Sequence, residues 1–493
     1  MSSRAVGFRF VPTGLNNRGE VKLSDEGARL DPADWDSFRQ QMHELLDSCV
    51  DRLAGARHHP WKPVPESLSE TLKLDNIEPA SGEAAVLESL DVDIMPYATG
   101  NTHPSFFGWV HGSGLPVSVA ADMVASTMNS NCGGRDHGAI EVERAVLDWL
   151  IRVSGLPSTA SGILTTGTSQ ATIVALVCAR IREFGVNIRQ TGIKNLPLVR
   201  VYASEGTHTC VHKALEVLGH GSESVHAVAT NTNGQINVAA LRSAVADDRK
   251  AGLVPLAVVG TAGSVNTGQF DPLDDLADFC ETEDLWFHVD AAFGFWVLLA
   301  DEPWRQLASG MHRAHSVACD FHKWMSIPYD CGACLIYDKD LHISTFTSRP
   351  DYLASQEQGL AGGDLWFCDY GVELSRGSRA LKIWAAIKAL GVTAFGDAIT
   401  DNCKQAAYMG QLASESELLE LAHPVTSNVC CFSLKKGDAD VISAELQLEG
   451  KVVFSTTYID GKNCLRAAIV NHRTTHDDVR QAMADVENIV KQQ

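Results

Sequence analysis

Lys323 stands in DFHKW (residues 320–324), directly after the strand-like run HSVACD. A lysine there is either a surface cation with its stem laid on apolar neighbours or a buried amine at a strand end. In the second case desolvation frees its lone pair, and it can form a Schiff base with an aldehyde. Three further stretches bear on the choice. In LTTGTSQAT (164–172), Gly167 allows a tight turn, and Thr168 and Ser169 bring hydroxyls and backbone N–H groups to a helix start. Such a start is an anion site or an ordinary cap. In HVDAAFG (288–294), Asp290 ends an apolar run. A buried carboxylate needs a partner, either a protonated ring nitrogen or a loop donor. In SEGTHTCVHKA (204–214), His208 follows another strand-like run and is a candidate to lie on a ligand ring, or a helix-start residue without a role.

Together these four features supply a phosphate cup, an acid for a pyridine nitrogen, a stacking imidazole and a Schiff-base lysine. That set fits pyridoxal 5′-phosphate, with the protein choosing which bond at Cα breaks.

The elements that must position these groups are legible as alternation. LVRVYAS, VHAVAT, PLAVVGT, LWFHVDAAF, HSVACD and ACLIYD read as short buried strands. SQATIVALVCARIREFG, HTCVHKALEVLG, NVAALRSAVADDRKAG and PLDDLADFCETE read as the helices between them. The pattern predicts an α/β fold, a mostly parallel sheet covered by helices on both faces, with ligands bound beyond the carboxyl ends of its strands. AIEVERAVLDWLIRVSGLP has helical spacing and a Gly-Leu-Pro stop. The expected divisions are a helical segment over 1–90, a large α/β domain over 91–385 and a small α/β domain over 386–493. The last contains the strands NVCCFSL and KVVFSTTYI and a closing helix.

Composition narrows the partners. The formal net charge of -21 argues against nucleic acid or an anionic membrane as partner. The chain's start holds no apolar stretch of signal-peptide length, and no run approaches the roughly 20 apolar residues that span a bilayer. A cytoplasmic protein is the expectation. The 13 cysteines form no framework and read as free thiols. CGAC (331–334) lacks a second pair at zinc spacing and leads into a strand, so no metal site is expected.

HPSFFGWV (103–110), GTSQATIVALVCAR, SEGTHTCVHKA, FHVDAAFGF, DFHKW and LSRGSRALKIW occur in one order along nearly the whole chain. In this the chain resembles the group II PLP-dependent amino-acid decarboxylases, the family of aromatic-amino-acid, histidine and glutamate decarboxylases. The resemblance implies a fold-type I homodimer acting on an L-amino acid, with active sites at the subunit interface and the N-terminal segment packed on the partner. It implies that Lys323 carries the cofactor, that Asp290 pairs with the pyridine nitrogen, that Ala292 packs on the ring's far face and that His208 stacks on the substrate side. Gly167, Thr168 and Ser169 resemble part of the phosphate loop, and Thr261 and His322 further cofactor contacts.

Two departures qualify the resemblance. The aromatic-amino-acid decarboxylases carry a loop tyrosine as proton donor. Counting nine residues back from Arg376 in DLWFCDYGVELSR places Phe367 there, with Tyr370 nearby. A phenylalanine there accompanies aldehyde formation in related synthases, so both an amine and an aldehyde product stay open. In GGRDHGAIEVE, Arg135 is a candidate for a substrate carboxylate or a solvated turn arginine. FFGWVHG supplies aromatic surface that leans towards aromatic substrates, acidic ones being the alternative.

Overall fold

The computed structural model describes residues 30–75, 80–348, 358–362 and 366–492. Its main sheet has seven strands: β1 (Ser161–Thr165), β2 (Val199–Ser204), β3 (Val225–Val228), β4 (Val254–Thr261), β5 (Trp286–Asp290), β6 (Ser316–Asp320) and β7 (Gly332–Ile336). Their spatial order is β1-β7-β6-β5-β4-β2-β3. Strands β1, β5, β6 and β7 are buried at every position, which is why their sequences are continuous apolar runs rather than alternating ones.

β3, β2, β4, β5 and β6 pair in parallel. β7 alone runs the other way, antiparallel to both β6 and β1. Six strands therefore share one direction, and five of them, β1, β2, β4, β5 and β6, carry candidate residues at their carboxyl ends. The register aligns Thr261 with Asp290, Asp290 with Ala318 and Asp320 with Gly332. A β-carbon on Gly332 would lie 2.6 Å from both Asp320 Oδ1 and the Gly167 Cα. Only a residue without a side chain lets β7 pass so close to the phosphate-loop candidate.

The smaller sheet is antiparallel, β10-β11-β9-β8, built from β8 (Leu419–Leu421), β9 (Val429–Leu434), β10 (Ser455–Ile459) and β11 (Lys462–Ala468). It packs on the helices Ala439–Leu448 and His476–Gln492 around a second apolar core that includes Phe107, Phe432, Phe454, Leu465 and Val486. The Ala380–Glu415 helix joins the cores: Ile383, Ala386 and Ile399 belong to the first and Ala406, Met409 and Ala413 to the second. It is interrupted at Gly391, in the left-handed region at φ 77°, where glycine carries no steric penalty. By length and composition this helix could cross a bilayer, which corrects the expectation that no segment reaches that length. Several of its apolar residues pack into the two cores, while Trp384 and Leu390 are exposed.

The expected Gly-Leu-Pro stop is observed: Gly155 ends the Gly138–Ser154 helix at φ 72°. The Trp35–Ala54 helix starts at Asp34, whose carboxylate accepts from the Asp36 and Ser37 N–H groups. It buries no residue. Residues 1–29 and 76–79 of the expected N-terminal segment lie outside the described residues.

Candidate active site

A cavity of about 570 Å³ opens at the carboxyl edge of the main sheet. Gly167, Thr168, Ser169, His208, Thr261, Asp290, Ala292, His322 and Lys323 all line it. Parallel strands bring them together: Asp290 and Thr261 end β5 and β4, Lys323 follows β6, His208 follows β2, and Thr168 opens the Thr168–Phe184 helix behind β1.

Asp290 is 4% exposed. Its Oδ1 accepts from the Ala292 N–H (3.2 Å) and its Oδ2 from the Cys210 thiol (3.7 Å). Burial pushes the Cys210 thiol up, so it stays protonated and serves as a donor. Both acceptors are weakly engaged, leaving capacity for a cationic N–H. His208 Nδ1 accepts from the Cys210 N–H (3.2 Å), which assigns its proton to Nε2. Burial holds the His208 pKa below its ordinary value, with Asp290 opposing, and the ring is neutral at pH 7. His322 Nδ1 accepts from the Cys331 N–H (3.0 Å), and its ring packs on Tyr329 with centroids 4.4 Å apart.

Lys323 is held by Asp320, whose Oδ2 lies 2.9 Å from its Nζ. A β-carbon on Gly112 would stand 2.4 Å from the carbonyl oxygens of His322 and Lys323, so the loop bearing Lys323 is wedged against the 109–112 segment. Thr261 is fixed through its N–H, which donates to Asp271 Oδ2 (2.8 Å). Burial pushes the Asp271 carboxyl up to about 6, opposed by this bond and one from the Ile236 N–H.

Phe367 is not among the lining residues. It lies in a buried 3-10 turn, Phe367–Tyr370, with the Arg376 guanidinium 5.4 Å from its ring centre. Arg376 is itself buried against Glu143, which accepts from it at 2.6 and 3.1 Å, and against the Cys132 and Leu164 carbonyls. Counting back from Arg376 assumed a loop reaching substrate, but the turn is pinned inside its own chain. Arg135 is likewise absent from the lining: its guanidinium sits 4.4 Å from the Trp366 ring centre.

Sequence reasoning missed several lining residues. Asp320 lay inside a quoted motif but read as the strand's end. Tyr329 completes an aromatic wall with Trp109 and His111, which the sequence marked only as the aromatic surface of FFGWVHG; the Trp109 and His111 rings stack at 5.7 Å. Arg466 reaches the cavity from β11. It is 4% exposed; its Nε donates to the Asn266 carbonyl (3.1 Å), its Nη1 to the Trp109 carbonyl (3.1 Å) and to Ser455 Oγ (3.2 Å). Its Nη2 is buried without a partner. No local sequence signal could have found it, because β11 is brought here by packing of the two sheets.

The residues fit pyridoxal 5′-phosphate. Two buried hydroxyls of the lining, Thr168 Oγ1 and Thr261 Oγ1, lack any partner, and buried polar groups in that state call for a ligand. Thr168 and Ser169 open a helix, Asp290 offers a carboxylate for a ring N–H, and Lys323 offers the amine.

Comparison with known proteins agrees. The family described as pyridoxal-dependent decarboxylase conserved domain matches residues 65–435. The aromatic-L-amino-acid decarboxylase of Bacillus atrophaeus is 30% identical over 474 residues, covering 93% of this chain and 96% of that protein. The L-2,4-diaminobutyrate decarboxylase of Rhizobium meliloti is 27% identical over 499 residues, covering 98% and 97%. The crystal structure of Oryza sativa TDC with PLP and tryptamine superposes with a TM-score of 0.85 at 25% identity, covering 94% of this chain and 99% of that one. A lysine, a carboxylate and a phosphate cup at one sheet edge, in a chain matched along most of its length, have one common explanation: this chain belongs to the pyridoxal-dependent decarboxylases, carboxy-lyases that act on amino acids.

Proposed function

We propose that the chain decarboxylates an L-amino acid, aromatic side chains favoured, to the amine and carbon dioxide, and that it works as a homodimer. The observation that carries this reading is the cavity itself, which sets Lys323, Asp290 and His208 opposite the wall of Trp109, His111 and Tyr329. Pyridoxal 5′-phosphate, when bound, supplies an electron sink conjugated to the substrate's Cα. Lys323 is the residue that would hold it covalently, and Thr168, Ser169 and Thr261 those that would take its phosphate and polar edge. Asp290 holds a proton on the ring nitrogen. His208, kept neutral by burial, lies beside the substrate without adding a charge. The free Nη2 of Arg466 takes a substrate carboxylate, and the aromatic wall excludes water from the reacting side.

A proton must return to Cα to give amine. Phe367 cannot supply it, having no acidic hydrogen and being pinned away from the cavity. Between Phe346 and Trp366 the sequence holds a single tyrosine, Tyr352, which lies outside the described residues. We assign it as the tyrosine proton donor that the resemblance calls for, and amine as the product. Arg466 also favours a second reading, a substrate with a side-chain carboxylate, because one free cation serves either carboxylate. The dimer is supported by apolar side chains left in solvent on the N-terminal segment and the Pro116–Met128 helix, among them Trp35, Leu46, Val50, Met123 and Val124. The test is a panel of L-amino acids, aromatic, acidic and basic, assayed for carbon dioxide, amine, aldehyde and peroxide. Amine from an aromatic member supports the reading. Aldehyde with peroxide, or turnover of acidic members alone, overturns it.

A further inference from the structure

Asp320 joins three parts of the site. Its N–H donates to the Ala292 carbonyl (2.9 Å), and its own carbonyl accepts from the Trp296 indole N–H (2.9 Å). Its Oδ1 accepts from the Thr168 N–H (2.7 Å) at the phosphate cup, and its Oδ2 stands 2.9 Å from Lys323 Nζ. The carboxylate is 3% exposed and Lys323 24%. A β-carbon on Gly332 would lie 2.6 Å from Oδ1, so the absence of a side chain there leaves the carboxylate its room. His322 Nε2 is 3.7 Å from Oδ2, too far for a hydrogen bond. The backbone clamp, the fixed carboxylate and the ion pair together mark where the lysine nitrogen rests when it is free.

We propose that Asp320 is a positioning residue: it receives the Lys323 amine whenever that amine is not bound to the cofactor carbonyl, and so favours transfer of the cofactor from the lysine to the substrate. This rests on Lys323 being the cofactor-binding lysine. In the transfer, the carbon–nitrogen double bond to Lys323 is replaced by one to the incoming amine. The incoming amine arrives as an ammonium, and its three N–H protons all end on the departing lysine nitrogen, with a neutral carbon–nitrogen double bond before and after. No electrons are gained or lost. Lys323 leaves as an ammonium, and Oδ2 of Asp320 takes it at the observed position. A group that stabilises only the released lysine shifts the exchange towards the substrate-bound side. The 2.9 Å charge-assisted contact exists only for the released lysine, and such contacts are among the strong ones, so its loss should move the exchange by about tenfold.

The experiment titrates the cofactor-loaded enzyme with methylamine and reads the share of cofactor still on Lys323 by borohydride reduction and peptide mapping. Wild type, Asp320→Asn and Asp320→Ala are compared. Asp320→Asn keeps an acceptor of the same shape for the Thr168 N–H, so the cup is retained; affinity for pyridoxine 5′-phosphate, which lacks the aldehyde, measures the cup separately. The expected result is half-displacement of Lys323 at about tenfold higher methylamine in both variants, with pyridoxine phosphate bound by Asp320→Asn no more weakly than by wild type. Half-displacement within twofold of wild type in Asp320→Asn would overturn the proposal. So would a shift matched by an equal loss of pyridoxine phosphate affinity, which would make Asp320 part of the cup only. Wild type labelled on another lysine would instead sink the assignment of Lys323 on which this rests.

Discussion

Replacing Arg466 should separate recognition of the carboxylated substrate from recognition of the amine product. Three of the guanidinium's donor bonds are spent on the Asn266 and Trp109 carbonyls and on Ser455 Oγ, while Nη2 is buried and free. Burial pulls the guanidinium's pKa below its ordinary value, the mark of a desolvated cation lacking an anion. A carboxylate bonded to such a charge gains about 1.5–3 kcal/mol, or about 10- to 150-fold in affinity. Arg466→Gln should therefore weaken a non-reacting α-methyl amino acid by that factor and leave the matching amine nearly unchanged. Arg466→Lys should fall between, because an ammonium cannot keep the wall bonds and the outward donor together. The assay is visible-absorbance titration of the cofactor-loaded enzyme with both ligands. If the ratio of the two affinities stays within twofold of wild type, Arg466 does not bind the carboxylate. A parallel loss of both would mean that it only holds the Trp109 wall.

Other expected outcomes follow from the same geometry. Asp290→Asn should keep the fold by circular dichroism and lose several orders of magnitude in turnover, since the ring nitrogen loses its anionic partner; near-wild-type turnover would remove Asp290 from that role. Tyr352→Phe should divert product from amine to aldehyde and peroxide in air, while Phe367→Tyr changes neither rate nor product; the opposite pattern would return the proton-donor role to position 367. His288 and His342 are both fully buried, and burial drives each to about 4. Unfolded histidine titrates near 6.5, so the unfolded chain takes up more protons between about pH 6.5 and 4. Stability should thus be full above that window and fall through it, by up to roughly 3 kcal/mol for each ring. Melting temperature against pH measures this, and a flat profile from pH 7 to 5 would contradict it.

The strand ends were readable because each active-site candidate sits a few residues after an apolar run on the same stretch of chain. Lys323, Asp290, His208 and Thr168 were found that way and Thr261 through the family resemblance, and the cavity lining contains all five. The periodicity of β7 marked a strand but could not give its direction, since apolar burial is the same either way. β8 is three residues long and β11 opens with Lys-Asn-Cys, too short and too polar for the apolar pattern. Arg466 meets the site through the packing of a distant strand, a contact that leaves no trace in spacing. Phe367 was misplaced because a count along the chain ignores the buried turn held over it by Arg376 and Glu143.

The central claim is that Lys323 carries the cofactor. Borohydride reduction of the loaded enzyme, followed by peptide mapping, tests it most directly. One modified lysine is expected, in the peptide containing DFHKW, with loss of both label and visible absorbance in Lys323→Ala. Label on any other lysine, or visible absorbance retained in Lys323→Ala, would contradict it.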